Sequence, residues 1–244
     1  MTAGAAEPLT LQMTNTAALA MNPWNLLHDV ARCLAVASLA LLAGGCSVLQ
    51  PPRVESPVLH TLDAKPVIGT SKDKRDLVLE VSLPRPSPGF DSAAMAYVQK
   101  PFALDYFAVH RWADAPARMI GPLLIRTLEQ TGSFRAVVQG PSSIPADIRL
   151  DTDLLRLQQN FMTRPSRVEL SLRLQLIDVR GRRVVATEIV DVASEAPSDD
   201  PEGGVIAANA ALANALAQVA EFCVAASAEV RARGQNQGSE SNFR

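Results

Sequence analysis

Few side chains in this 244-residue chain could do chemistry, and one thiol sits where the surrounding residues specify a reaction. Cys46 closes an apolar run of 13 residues, Cys33–Gly45, that no charge interrupts and that Arg32 precedes. A basic flank, a short hydrophobic core and a small-residue exit form a bacterial secretory signal. The run is too short for a membrane-spanning helix, which needs about 20 apolar residues. The polar, Pro-rich exit Ser47–Arg53 argues against a buried core helix. The chemistry these flanks specify is export and cleavage of the leader beside Cys46.

The small pair Gly44 and Gly45 before the cysteine resembles the lipobox of bacterial lipoproteins, which implies that the Cys46 thiol is acylated and that cleavage leaves Cys46 as the first residue of the mature chain. Each buried methylene contributes about 0.8 kcal/mol, and one acyl chain alone holds only marginally. The resemblance implies three chains, palmitate among them, and hence a lasting anchor. Ser47 stands where an aspartate would favour inner-membrane retention, so the resemblance implies the periplasmic face of the outer membrane. Met21 is a more usual start for such a leader, which makes residues 1–20 either an over-long gene assignment or an unusual extension. The expected organisation is a signal over 1–45, a lipidated tether over 46–58, one folded domain over 59–231 and a disordered tail over 232–244.

The other reactive residue types are scattered. His60 and His110 lie fifty residues apart without nearby cysteine or paired carboxylates, so no metal-ligand spacing is visible and no metal or cofactor is expected. No G-x-S-x-G elbow marks a serine hydrolase, and no Gly-rich phosphate loop marks an ATPase. Asp147, Asp151 and Asp153 alternate with apolar residues and read as a solvated strand face. Cys223 falls in an apolar helical stretch and reads as a small buried hydrophobe. With Cys46 acylated, no intramolecular disulfide is available. The formal net charge of −2 offers no basic excess for nucleic acid. The expectation is a protein that is not an enzyme.

The elements that would position these residues follow from periodicity. Short strands are predicted around His60–Leu62, Leu77–Leu83, Met95–Gln99, Leu104–Phe107 and Arg135–Gln139. A helix follows Asp114, its expected N-cap, with Pro116 in the first turn and Gly132 as its stop. Pro122 either kinks that helix or marks its true beginning. Ile148 to Leu157 alternates with a slip of phase at Leu154 and Leu155, which predicts a bulge. Val168–Leu176 and Arg183–Val192 alternate strictly around the turn Val179–Arg182, predicting a long antiparallel hairpin. Asp199 and Asp200 open a last helix with a buried stripe of Val205, Ala208, Leu212, Leu216, Val219 and Cys223. The fold class is α/β: a mixed, largely antiparallel sheet with two main helices packed on it.

The aromatic residues are concentrated in Pro88–Asp114. Both tyrosines (Tyr97, Tyr106), Trp112 and the phenylalanines Phe90, Phe102 and Phe107 fall there. The segment reads either as a core patch or as a partner- or lipid-facing surface, since Tyr and Trp favour interface centres. This stretch, Pro116–Leu124, Asp151–Gln159 and Ala196–Gly204 together resemble the ABC-type transport auxiliary lipoprotein family, from the lipobox to about Cys223. The resemblance implies a fold similar to the N-terminal domain of TolB. It also implies outer-membrane partnership with a mammalian-cell-entry (MCE) domain protein, its permease and its ATPase, in moving phospholipids or other hydrophobic molecules. A homo-oligomer would suit a hollow partner. A structural envelope lipoprotein and a lipid-carrying periplasmic domain are the alternatives. Only Cys46 carries over as a functional residue.

Overall fold

A computed structural model describes residues 23–44, 55–69 and 74–241, with side chains followed to Val230 in the last helix. Cys46, most of the tether and part of the charged loop after Gly69 lie outside the described residues. Two compact units divide between Val54 and Glu55. In the first, helix α1 covers Pro23–Gly44, the segment read as a secretory signal. Its Trp24, Leu27, Val30, Leu34 and Val36 are all exposed.

Among its described residues the second unit has nine strands and two helices. In chain order they are β1 (Val58–His60), β2 (Arg75–Val81), β3 (Arg85–Pro86), β4 (Ala94–Lys100), β5 (Ala103–Trp112), α2 (Pro116–Gln130), β6 (Phe134–Gln139), β7 (Ile148–Asn160), β8 (Arg167–Asp178), β9 (Arg183–Glu195) and α3 (Pro201–Ser241). The strands form one forked sheet with β7 at the fork. One edge of β7 pairs antiparallel with β8 along its length, and β8 pairs likewise with β9. The other edge pairs parallel with β2, then β3, then β4. From β2 one arm continues to β6; from β4 the other continues through β5 to β1. The sheet is mixed, and its long ladders are antiparallel.

The predicted bulge exists: the β7–β8 register shifts between Leu154 and Arg156. It lets Leu154 and Leu157 both face the core although three residues apart. Both helices cover that same apolar face. Leu170, Leu172, Leu174 and Leu176 of β8 are fully buried beside Ala208, Leu212, Leu216, Val219 and Cys223 of α3, while Val205 is only partly buried. Ile120, Leu124 and Leu128 of α2 complete the layer. At about 25 cal/mol per Å² of apolar surface removed from water, this single layer supplies most of the drive to fold.

Three local details depart from the sequence reading or resolve it. Ala115, not Asp114, is the N-cap of α2, because Pro116 at the first helical position fixes its immediate predecessor in the cap role. Asp114 instead accepts the Ala115 N–H at 2.7 Å and pairs with Arg118 one turn on. Pro122 lies inside a continuous α2 on its exposed side, where the carbonyl it leaves unbonded can reach water. The stop is Gly132, with φ +65. Helix α3 continues to Ser241, across the segment whose composition reads as a tail.

Candidate functional site

The β4–β5 hairpin and the loop that leads into it distribute the six candidate aromatics among three environments. Trp112, at the end of β5, is 4% exposed and belongs to the core. Tyr97 and Phe107 meet on the helix-bearing face with ring centroids 4.6 Å apart. Phe161, just beyond β7, closes this cluster edge-on at 5.9 Å from Tyr97 and 6.3 Å from Phe107. Beside it a cleft of about 500 Å³ is lined by Gln99, Arg164, Asp199 and Asp200.

The opposite face carries the other three. Phe90 is partly buried against the core, and the Tyr106 hydroxyl donates to the Gly89 carbonyl at 3.0 Å. Phe102 is fully exposed at the hairpin tip with φ 63. A backbone there favours Gly or Asn, so a bulky exposed ring is unusual. Phe90, Phe102, Leu104 and Met162 share an open cleft of about 490 Å³ with Lys100, Arg156 and Glu169. Sequence reasoning missed Phe161 and Met162. Their signal was an apolar pair directly after the 13-residue β7, where a polar turn is expected.

Away from the hairpin tip, the open face of the sheet is a lattice of ion pairs, which corrects the reading of Asp147, Asp151 and Asp153 as solvated. Asp147 and Asp153 are buried, because neighbouring arginines lie over them. Asp147 accepts the Val78 N–H at 2.8 Å and pairs with Arg180. Asp151 accepts from Ser82 at 2.7 Å and pairs with Arg149. Asp153 is held between Arg85 at 2.9 Å and Arg173, its cross-strand partner. Burial pushes the Asp153 carboxyl up, but the guanidinium groups of Arg173 and Arg85 outweigh it and hold it below the usual carboxylate range. Glu169 behaves alike: burial opposes, and bonds from Asn160 and Gln158 with Arg156 and Arg167 nearby prevail.

The N-terminus of α3 locks onto β7. Asp200 accepts the Gly203 N–H at 2.7 Å and so caps the helix, while Asp199 accepts the Ser166 N–H at 2.6 Å. A Cβ on Gly203 would run into the backbone of Ser198, and one on Gly204 into the Gln159 side chain. Gln159 itself donates to Ser166 and to the Asp200 carbonyl. The paired glycines are therefore what lets the helix start flush against the sheet.

At the joint of β1, β5 and α3 the two histidines meet. His60 Nε2 lies 3.0 Å from His110 Nδ1, and Glu202 Oε1 lies 3.6 Å from that same nitrogen. The separation of fifty residues hid the pair, because β1 must first lie parallel beside β5 to bring the rings together. Burial lowers the His60 pKa from its ordinary value, His110 lowers it further, and Glu202 opposes. Cys223 is fully buried and its thiol is pushed up by burial, which leaves it unsuited to nucleophilic chemistry.

The family model for the ABC-type transport auxiliary lipoprotein component matches residues 60–220, from His60 to Ala220. The chain belongs to that family. Among solved structures, this auxiliary lipoprotein is similar to a protein from Xanthomonas campestris assigned to the family DUF330. The two share 18% identity at a TM-score of 0.65, over 70% of this chain and 98% of that one. A second crystal structure, of an uncharacterized protein, matches at a TM-score of 0.55 with 13% identity, over 69% of this chain and 99% of the other. At such identities the likeness is one of fold. No curated protein matches the sequence.

Proposed function

We propose that this protein is a non-catalytic docking component of an MCE-type ABC transport system, held by acylated Cys46 at the periplasmic face of the outer membrane. There it receives the periplasmic end of a conduit that moves phospholipids or other hydrophobic molecules between the membranes. The family match over residues 60–220 carries the reading, together with the secretory signal that ends at Cys46. Two features of the domain support docking over lipid carriage. The pocket between the sheet and α3 has only about 10 Å³ of internal space, and the clefts of about 490 and 500 Å³ beside the hairpin, though in the ~300–1,000 Å³ range of small-molecule sites, lie open at the surface. The exposed ring of Phe102 beside Leu104 and Met162 gives a projecting anchor of the kind that partner surfaces use.

The test combines mass and capture. Protein extracted from membranes of its native host gives an N-terminal peptide that begins at Cys46 and carries acyl chains. Mild crosslinking of the same cells recovers the MCE-domain protein. An unmodified, uncleaved N-terminus contradicts the anchor; capture without any transport component contradicts the docking role.

A further inference from the structure

We propose that His60, His110 and Glu202 form a binding site for one divalent transition metal ion, zinc being the best chemical fit. The three residues come from β1, β5 and the first turn of α3, and one ligand atom from each lies within 4.8 Å of the others. Two imidazoles and a carboxylate are the donor set that suits zinc, nickel or copper rather than the all-oxygen sites of magnesium and calcium.

Metal entry requires the two rings to part slightly and to turn. Two metal–nitrogen bonds of ~2.0–2.1 Å at a tetrahedral angle place their nitrogens about 3.3 Å apart. The ring nitrogens stand at 3.0 Å, so the pair opens by a few tenths of an ångström. The rings are nearly parallel, at 11°, with centroids 5.3 Å apart, so the two nitrogens face each other edge to edge with their lone pairs nearly on one line; each ring turns by roughly 35° to bring both onto one tetrahedral ion. In the hydrogen-bonded pair one proton lies between them. On metal entry that proton moves to the far nitrogen of its own ring, and both facing lone pairs become ligands without oxidation or reduction. Glu202 is 60% exposed and free to rotate inward, whereas the His110 side chain, 21% exposed, is held in place. Three protein ligands leave the remaining position to water.

The position gives the ion a structural effect. Strand β1 is three residues long and is the first element of the folded unit after the tether. It is held by short parallel pairing to β5, by the Ala113 N–H donating to the His60 carbonyl at 2.7 Å, and by Asn209 of α3 just beyond it. A bound ion would tie β1, β5 and α3 at one point. Anything that binds the folded state alone raises its stability with concentration.

The full chain, without a polyhistidine tag, is titrated with zinc chloride by calorimetry and followed by thermal melting. The expected result is saturable binding of one ion per chain and a melting temperature that rises with zinc. His110→Asn and His60→Asn each weaken binding by roughly tenfold or more, a loss of about 1.4 kcal/mol or more, and Glu202→Gln weakens it less. Circular dichroism of the metal-free variants reports their folding. Should one variant fail to fold, cobalt(II) loading of the wild-type chain still decides, through visible bands of a low-coordinate nitrogen- and oxygen-ligated ion. Absence of saturable binding, binding unchanged in His110→Asn, or a cobalt spectrum of the hexa-aqua ion would overturn the site. The pair would then be a hydrogen-bonded fastening of β1 alone.

Discussion

The same strands present two unlike faces. Beneath α2 and α3, leucines of β8 pack against the small-residue stripe of α3. On the reverse, Asp147, Asp151, Asp153 and Glu169 are matched to arginines and left without a covering element among the described residues. A packed apolar face fixes one arrangement, because each buried methyl group has many neighbours to lose. A charged face is satisfied by its own pairs and contributes less to stability, since partly exposed ion pairs are screened and entropically costly. It can therefore take up a partner at small cost to the fold. The difference teaches where the stability and where the interactions of this domain reside.

Breaking the packed face has the greatest consequence. Leu172→Ala, in the middle of β8 and fully buried, lowers unfolding free energy by about 2–5 kcal/mol in chemical denaturation. Gly203→Ala comes next and exceeds Gly204→Ala. The new methyl group meets Ser198 backbone in the first case and the movable end of a Gln159 side chain in the second. Thermal melts of the two variants side by side check that order. On the charged face Asp153→Asn costs only about 1–2 kcal/mol, because Arg85 and Arg173 are both more than a third exposed and can turn to water.

The same variant sharpens the comparison through pH. The folded pKa of Asp153 lies below its ordinary 3.8, so the unfolded chain takes up the proton first. Its stabilising effect is complete above the ordinary value and is lost as pH falls through the folded one. Asp153→Asn should flatten the fall in stability below about pH 5, measured by urea unfolding across the acid range. The smallest effect belongs to Phe102→Ala, which leaves stability within about 0.5 kcal/mol, since the ring is wholly exposed. Its consequence should appear in partner capture instead.

Much of the fold was legible because period-two alternation over Val168–Leu176 and the phase slip at Leu154 have only one sheet interpretation each. What alternation could not reveal is which strands become neighbours. The parallel placement of β2, β3 and β4 in tandem along a single edge of β7 is a long-range outcome, and it alone brings Phe161 to Tyr97. The meeting of His60 with His110 needs the same kind of knowledge. The carboxylates of β7 were misread for a related reason: burial by arginines arriving from β3 and β8 leaves no mark in the spacing of Asp151 and Asp153. The aromatic segment was singled out as a group, yet Trp112 belongs to the core at the end of β5 and Phe102 to the surface at the hairpin turn, a division that composition does not show.

Photocrosslinking in living cells of the native host addresses the docking role most directly, with the reactive side chain placed at Phe102 or at Ile206. Both positions are exposed, the first on the hairpin tip and the second on the outer side of α3. Adducts with the MCE-domain protein from Phe102, and none from Ile206, are the predicted result. Adducts from Ile206 alone, or none from Phe102, would contradict the account.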